Sequence, residues 1–158
     1  MTQSTDDVVD SVRDLLGVLV DALGLDAEVA VEHDGDTVRG ALIGDDLGLF
    51  IGRHGQTIDA VQHLAQRIAF RGQAADVRIV IDAAGYRDRR AAALRREADE
   101  AADNAIQTSR AVALDAMTAS ERKLVHEYLR ERGDVETYSE GEEPSRHLVI
   151  APADAPPR

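Results

Sequence analysis

The sequence predicts an α/β fold of the α+β kind: two small modules joined by a long helix. Three observations carry this reading. Apolar residues at helical spacing give way to residues alternating with a period of two, and the change occurs in both halves of the chain. Turn signals bound the alternating segments. Between the two halves lies a long run dominated by alanine, arginine and acids, with helical periodicity only. A chain of 158 residues suits either one compact domain or two small ones.

In order along the chain, Val8, Val12, Leu15, Leu16, Leu19, Val20 and Leu23 recur at helical spacing with Asp10, Asp14 and Asp21 between them, and Gly24 ends that helix. In "EVAVEHDGDTVRGALI", Val29 and Val31 alternate with Glu28 and Glu32. Asp34 and Gly35 supply a turn, and a second strand runs through Val38 to Ile43, which makes a hairpin. Asp45 or Asp46 is expected to cap a short helix through Phe50. Gly52 and Gly55 then bracket a turn, and a longer helix runs from about Gln56 to Phe70, packed through Ile58, Val61, Leu64, Ala65 and Ile68 and ended by Gly72. "DVRIVID", residues 76–82, returns to strand alternation through Val77, Ile79 and Ile81.

From Ala83 to about Ala116 the expectation is one long helix with Leu94, Ala98, Ala101, Ala105 and Ile106 on its packed face, bridging the two modules. Thr118 and Glu121 form a capping box for a helix carrying Arg122 to Arg132. Strands follow at residues 135–139 and 146–150, separated by the polar loop "EGEEP", and the tail "APADAPPR" is expected to be disordered. The modules are therefore placed at 1–82 and 83–152, with a tail at 153–158.

Composition narrows the chemistry. The chain has 18 basic and 30 acidic residues and a net charge of -12, which would repel a polyanion if spread evenly. It is uneven: residues 1–36 hold ten acids and only Arg13 as a base, whereas Tyr86 to Arg96 holds Arg87, Arg89, Arg90, Arg95 and Arg96 against Asp88. The absence of cysteine excludes disulfides, thiolate metal sites and a cysteine nucleophile, and fits a cytoplasmic location. The opening "MTQSTDDVVD" lacks the pattern of a signal peptide, and no apolar run is long enough to span a bilayer.

Two constellations carry function. Gly52 and Gly55 allow a tight turn and close approach of another backbone. The helix that follows offers unpaired N–H groups and a partial positive charge to a phosphate, with Arg53 and His54 exposed beside it. In the second half, Arg122 and His126 lie four apart on one helical face, and the later loop adds Ser139, Gly141 and Arg146. The arginines at 87, 89 and 90 form either a solvated helix face or a phosphate track.

"IGRHG" in this order of elements resembles the loop of a type II KH domain, over roughly residues 25–82. "ERKLVHEYL" with "TYSEGEEPSRHLVI" resembles the small single-stranded nucleic-acid-binding domain named for its Arg-xxx-His motif, over about residues 91–152. Together and in this order they resemble the Jag family, also called the KhpB family, of bacterial RNA-binding proteins. The resemblance implies a non-catalytic, cytoplasmic binder of single-stranded RNA, acting as an RNA chaperone or post-transcriptional regulator tied to cell shape or division. It implies no cofactor and no metal, a small KH protein of the KhpA family or a second copy as partner, and RNA contacts from Gly52, Arg53, His54, Gly55, Arg87, Arg89, Arg90, Arg122, His126, Ser139, Gly141 and Arg146. Long members of the family carry a separate Jag domain before the KH domain. This sequence starts almost directly at the helix associated with the KH domain, so that domain's function is not carried over. Two other classes stay open: a protein-interaction adaptor using the long helix, and a hydrolase with His126 as base. The second has no nucleophile elbow, Walker sequence, zinc signature or paired carboxylates to complete it.

Overall fold

The structure, a computed structural model, describes residues 4–71 and 77–154 of the 158. Gly72, expected to end a helix, Asp76 at the start of a predicted strand, and residues 155–158 of the predicted tail lie outside the described residues. The chain divides into two compact units, residues 1–87 and 88–158.

The first unit opens with α1 (Thr5–Leu23), begun by a capping box between Ser4 and Asp7 and ended by Gly24 at φ 64°. β1 (Glu28–Asp34) and β2 (Thr37–Ile43) pair antiparallel around a turn at Gly35 and Asp36, as the hairpin reading expects. A short helix α2 (Gly48–Ile51) leads through a 3-10 turn at Arg53–Gly55 into α3 (Gln56–Phe70), and β3 (Arg78–Ala83) pairs parallel to β2. The sheet order β1-β2-β3 leaves β1 and β3 at the edges.

Alternation places Val38 and Leu42 of β2 and Ile79, Ile81 and Ala83 of β3 on one face, where they meet Val8, Val12 and Leu16 of α1 and Ile58, Val61, Ala65 and Ala69 of α3. Gly40 sits at the centre of that face. A Cβ there would come 2.8 Å from both Leu16 Cδ1 and Val12 Cγ1, so the bare position is what lets α1 approach the sheet.

Two expectations need correction here, the cap of α2 and the packed face of α3. Neither Asp45 nor Asp46 caps α2: the residue at its start is Leu47, which makes no side-chain cap and is itself buried in the core. Leu64 and Ile68 are 44% and 42% exposed, because the face of α3 that meets the sheet follows Ile58, Val61, Ala65 and Ala69. Ile43, at the end of β2, points away from the core and is exposed.

The second unit is built on α4 (Tyr86–Thr108), whose first two residues belong to the first unit. Here the long-helix reading overran. Ser109 takes φ 53°, its N–H bonding to the Ile106 carbonyl, and the chain then extends as β4 (Val112–Ala116). Val112 and Leu114 pack against the core at strand spacing, and alanine-rich composition masked that alternation. Ile106 is exposed, while Leu94, Ala98, Ala101, Ala102 and Ala105 are buried. α5 (Ala119–Arg130) starts at the predicted capping box, Thr118 with Glu121. β5 (Val135–Glu140) and β6 (His147–Pro152) complete a sheet in the order β4-β6-β5, all antiparallel, so β4 and β5 are its edges. The last strand, expected to end at residue 150, runs on through Ala151 and Pro152. Val125 and Leu129 of α5, Leu148 and Ile150 of β6, and Met117 close the core against the alanine face of α4.

Replacing Gly40 with alanine is expected to lower the stability of the first unit by about 1–3 kcal/mol, the usual cost of overpacking. Urea unfolding followed by circular dichroism measures it; an unchanged midpoint would show that α1 can withdraw from β2 without penalty.

Candidate nucleic-acid interface

The glycine turn has a defined shape. Gly52 lies at φ 72°, ψ 176°, a region open essentially to glycine alone, and a Cβ there would collide with the Thr57 hydroxyl and sit 2.9 Å from the Thr57 nitrogen. Gly55, at φ 74°, is buried, and a Cβ on it would stand 2.7 Å from Cε1 of Tyr86. Between them Arg53 is exposed and His54 is half-buried in the left-handed region at φ 53°, one that histidine tolerates better than most residues. Gly55 is the N-cap of α3 and makes no side-chain cap, while the N–H of Gln56, the first residue of the helix, donates to the Arg53 carbonyl. The positive end of the α3 dipole beside Arg53 makes the turn chemically suited to an anion.

The arginine cluster divides. The guanidinium of Arg87 donates to Asp59 at 2.9 Å, to Gln62 at 3.1 Å and to the Ile81 carbonyl at 2.7 Å, while its backbone N–H donates to Asp82. Gln62 Oε1 also accepts the N–H of Ile81. Arg87 thus fastens the start of α4 to α3 and β3. Arg90 donates from Nε to Glu121 at 2.7 Å, and the other oxygen of Glu121 accepts the N–H of Thr118 in the capping box. Arg89, Arg95 and Arg96 are exposed along α4.

The second constellation is also partly structural. Arg122 is buried at 8% exposure, donating to the Met117 carbonyl at 2.7 Å and to Glu143 at 2.6 Å. The loop after β5 does fold back toward α5, and the residue that meets Arg122 is Glu143. Arg146 is exposed, and its carbonyl accepts the N–H of Met117. His126 is exposed and shares a hydrogen bond between Nδ1 and the Thr137 hydroxyl of β5. Ser139 is two residues farther on the same face of β5, and Gly141 takes φ 84° where the strand ends. Sequence spacing placed Arg122 and His126 on one face. Their partners Glu143 and Thr137, like Asp59 and Gln62 for Arg87, left no signal, since each is an ordinary polar residue in sequence.

Other charges form closed sets. Arg132 donates to Asp134 at 2.9 Å and Asp103 at 2.8 Å, which raises its own pKa and holds the Asp134 carboxyl below the usual range. The Tyr128 hydroxyl donates to Asp99 at 2.8 Å, and that hydrogen bond raises the phenol above its ordinary 10.0.

Two domain families match this arrangement. The model described as the KhpA/KhpB KH domain matches residues 9–81, and the domain named for the Arg-xxx-His motif matches residues 92–152. The class is therefore a KH domain followed by an Arg-xxx-His domain. Three similar proteins carry the name RNA-binding protein KhpB. That of Lactiplantibacillus plantarum is 41% identical over 141 residues, covering 87% of this chain and 43% of the relative. That of Clostridium symbiosum is 33% identical, covering 90% and 65%, and that of Bacillus subtilis is 32% identical, covering 92% and 71%. The chain belongs to the KhpB family. It spans from under half to about seven tenths of the length of these relatives.

Arg122→Ala is expected to destabilise the second unit by about 2 kcal/mol, the scale of losing charge-assisted hydrogen bonds, with a lower melting temperature as the readout. Because the folded phenol of Tyr128 is raised, what its hydrogen bond contributes is present below pH 10 and fades as pH rises through the folded value. Ultraviolet titration should therefore show that Asp99→Asn lowers the pH at which the Tyr128 phenol ionises.

Proposed function

We propose that this chain binds single-stranded RNA without catalysing a reaction, gripping the backbone at the turn from Gly52 to Gly55 and making further contacts from the Arg-xxx-His unit. The turn's geometry is the observation that carries the reading. Two positions closed to any Cβ frame a turn on which Arg53 is exposed, His54 is half-buried and no side chain caps the start of α3. A single strand can lay its backbone across such a turn with its bases splayed, which a duplex with its deep, narrow groove does not permit. The names of the relatives agree with this reading.

Arg89, His126, Ser139, Gly141 and Arg146 supply the second unit's contacts. Arg87, Arg90 and Arg122 act by positioning: their guanidinium groups hold carboxylates and carbonyls of the fold. At Arg122 an incoming phosphate would exchange with Glu143, whose side chain is 58% exposed. We assign the protein to the cytoplasm, as an RNA chaperone or post-transcriptional regulator. Among the described residues no helix is long and apolar enough to cross a membrane. A small KH protein of the KhpA type, or a second copy, is the proposed partner. Leu64 and Ile68, exposed one turn apart on α3, support a protein contact there.

Changing Arg53 and His54 together to aspartate should weaken single-stranded RNA binding and lower the salt slope by about 0.7 for each phosphate no longer held, with circular dichroism unchanged. Filter binding across a salt series measures this, alongside a duplex of equal length. Equal or tighter binding of the duplex, or a variant that binds as the wild type does, would overturn the reading.

A further inference from the structure

Outside the motif faces, the second unit has a groove of about 460 Å³ between α4 and α5, lined by Arg95, Ser120, Lys123, Leu124, Glu127 and Tyr128. Its size falls within the roughly 300–1,000 Å³ of small-ligand pockets. On α5 these residues lie nearly opposite Arg122 and His126, since successive residues turn by about 100° around the axis. The groove is therefore separate from the motif face, whose contacts run to Met117, Glu143 and Thr137.

We infer that this groove binds one nucleotide unit of single-stranded RNA, its phosphate held by Arg95 and Lys123 and its base packed on Tyr128 and Leu124. The inference rests on the RNA-binding reading above. The guanidinium of Arg95 stands 5.9 Å from the centroid of the Tyr128 ring, so a cation and an aromatic surface already share the site. The hydroxyl of Tyr128 is tied to Asp99, which orients the ring, and 37% of the residue is still exposed to receive a base. Lys123 is 74% exposed and paired with Glu127 at 3.8 Å, a loose surface contact that a phosphate can replace at little cost. Cations beside a ring are what sequence-tolerant binding of single strands requires: charge for the backbone, a π surface for the base. Of the acids nearby, Asp99 holds the Tyr128 hydroxyl, and Glu127 gives up Lys123 to the phosphate. An acidic peptide would use the two cations and leave the ring and Leu124 without a role, so the nucleotide accounts for more of the groove.

The test measures anisotropy of a labelled mixed-sequence single-stranded RNA on the full chain across a salt series. Arg95→Gln combined with Lys123→Gln should weaken binding roughly tenfold and lower the salt slope by about 0.7, one phosphate's worth. Tyr128→Leu should weaken it roughly fivefold or more, the scale of losing one base–aromatic stack. Thermal melts check folding; if Tyr128→Leu melts early, the charge variant decides alone, its two side chains being exposed. A wild type that binds RNA while the charge variant matches it in affinity and slope overturns the groove and leaves the glycine turn standing. A folded Tyr128→Leu variant that binds normally, with polyglutamate displacing RNA from the wild type, overturns it in favour of an acidic-peptide surface. A wild type that binds no single-stranded RNA overturns both readings.

Discussion

The glycine turn takes its shape from what lies beneath it. The ring of Tyr86 occupies the space a Cβ on Gly55 would need, and Thr57 does the same for Gly52. The next residue after that tyrosine, Arg87, ties the same point of the chain to α3 through Asp59 and Gln62 and to β3 through Ile81. The outward surface of the turn is thus the far side of a packed contact. Its positive-φ glycines, Gly52 and Gly55, lie against Thr57 of α3 and Tyr86 of α4. Preorganisation of this kind is what a small binding site needs, because a turn that had to be ordered by its ligand would give up that ordering cost from its affinity.

Arginine serves two purposes, and burial separates them. Arg87, Arg90 and Arg122 have donors committed to oxygen atoms of the fold, and the planar fork suits them to bridging two segments at once. Arg53, Arg89, Arg95 and Arg146 stand on the surface. A motif arginine in the first group controls where a helix or loop lies. Glu121 shows how tightly the two requirements interlock: one oxygen caps α5 and the other receives Arg90.

What sequence made legible was whatever depends on local order. The period of α1, the hairpin around Gly35, the pair Gly52 and Gly55, and the capping box at Thr118 each follow from residues a few positions apart, and each is present. The failures came where distant residues decide. β4 is a strand because β6 lies beside it, and nothing within "AVALDA" outweighs the helical leaning of its alanines. Leu64 and Ile68 fit a helical stripe, yet the sheet meets only the stripe's other side. The spacing of Arg122 and His126 gave their common face, while the burial of one against Glu143 and the exposure of the other depend on a loop some twenty residues on.

Among the described residues both sheets are three strands wide, so four of the six strands are edges, and open edges invite pairing between molecules. Acidic side chains mark three of them: Glu28, Glu32 and Asp34 on β1, Asp115 on β4, Glu136 and Glu140 on β5. At β3 the outward N–H and carbonyl of Ile81 are both occupied, one by Gln62 and the other by Arg87. Part of the chain's acidity thus has a definite position, along the strand borders. Like charge along those borders disfavours the edge-to-edge pairing of two molecules.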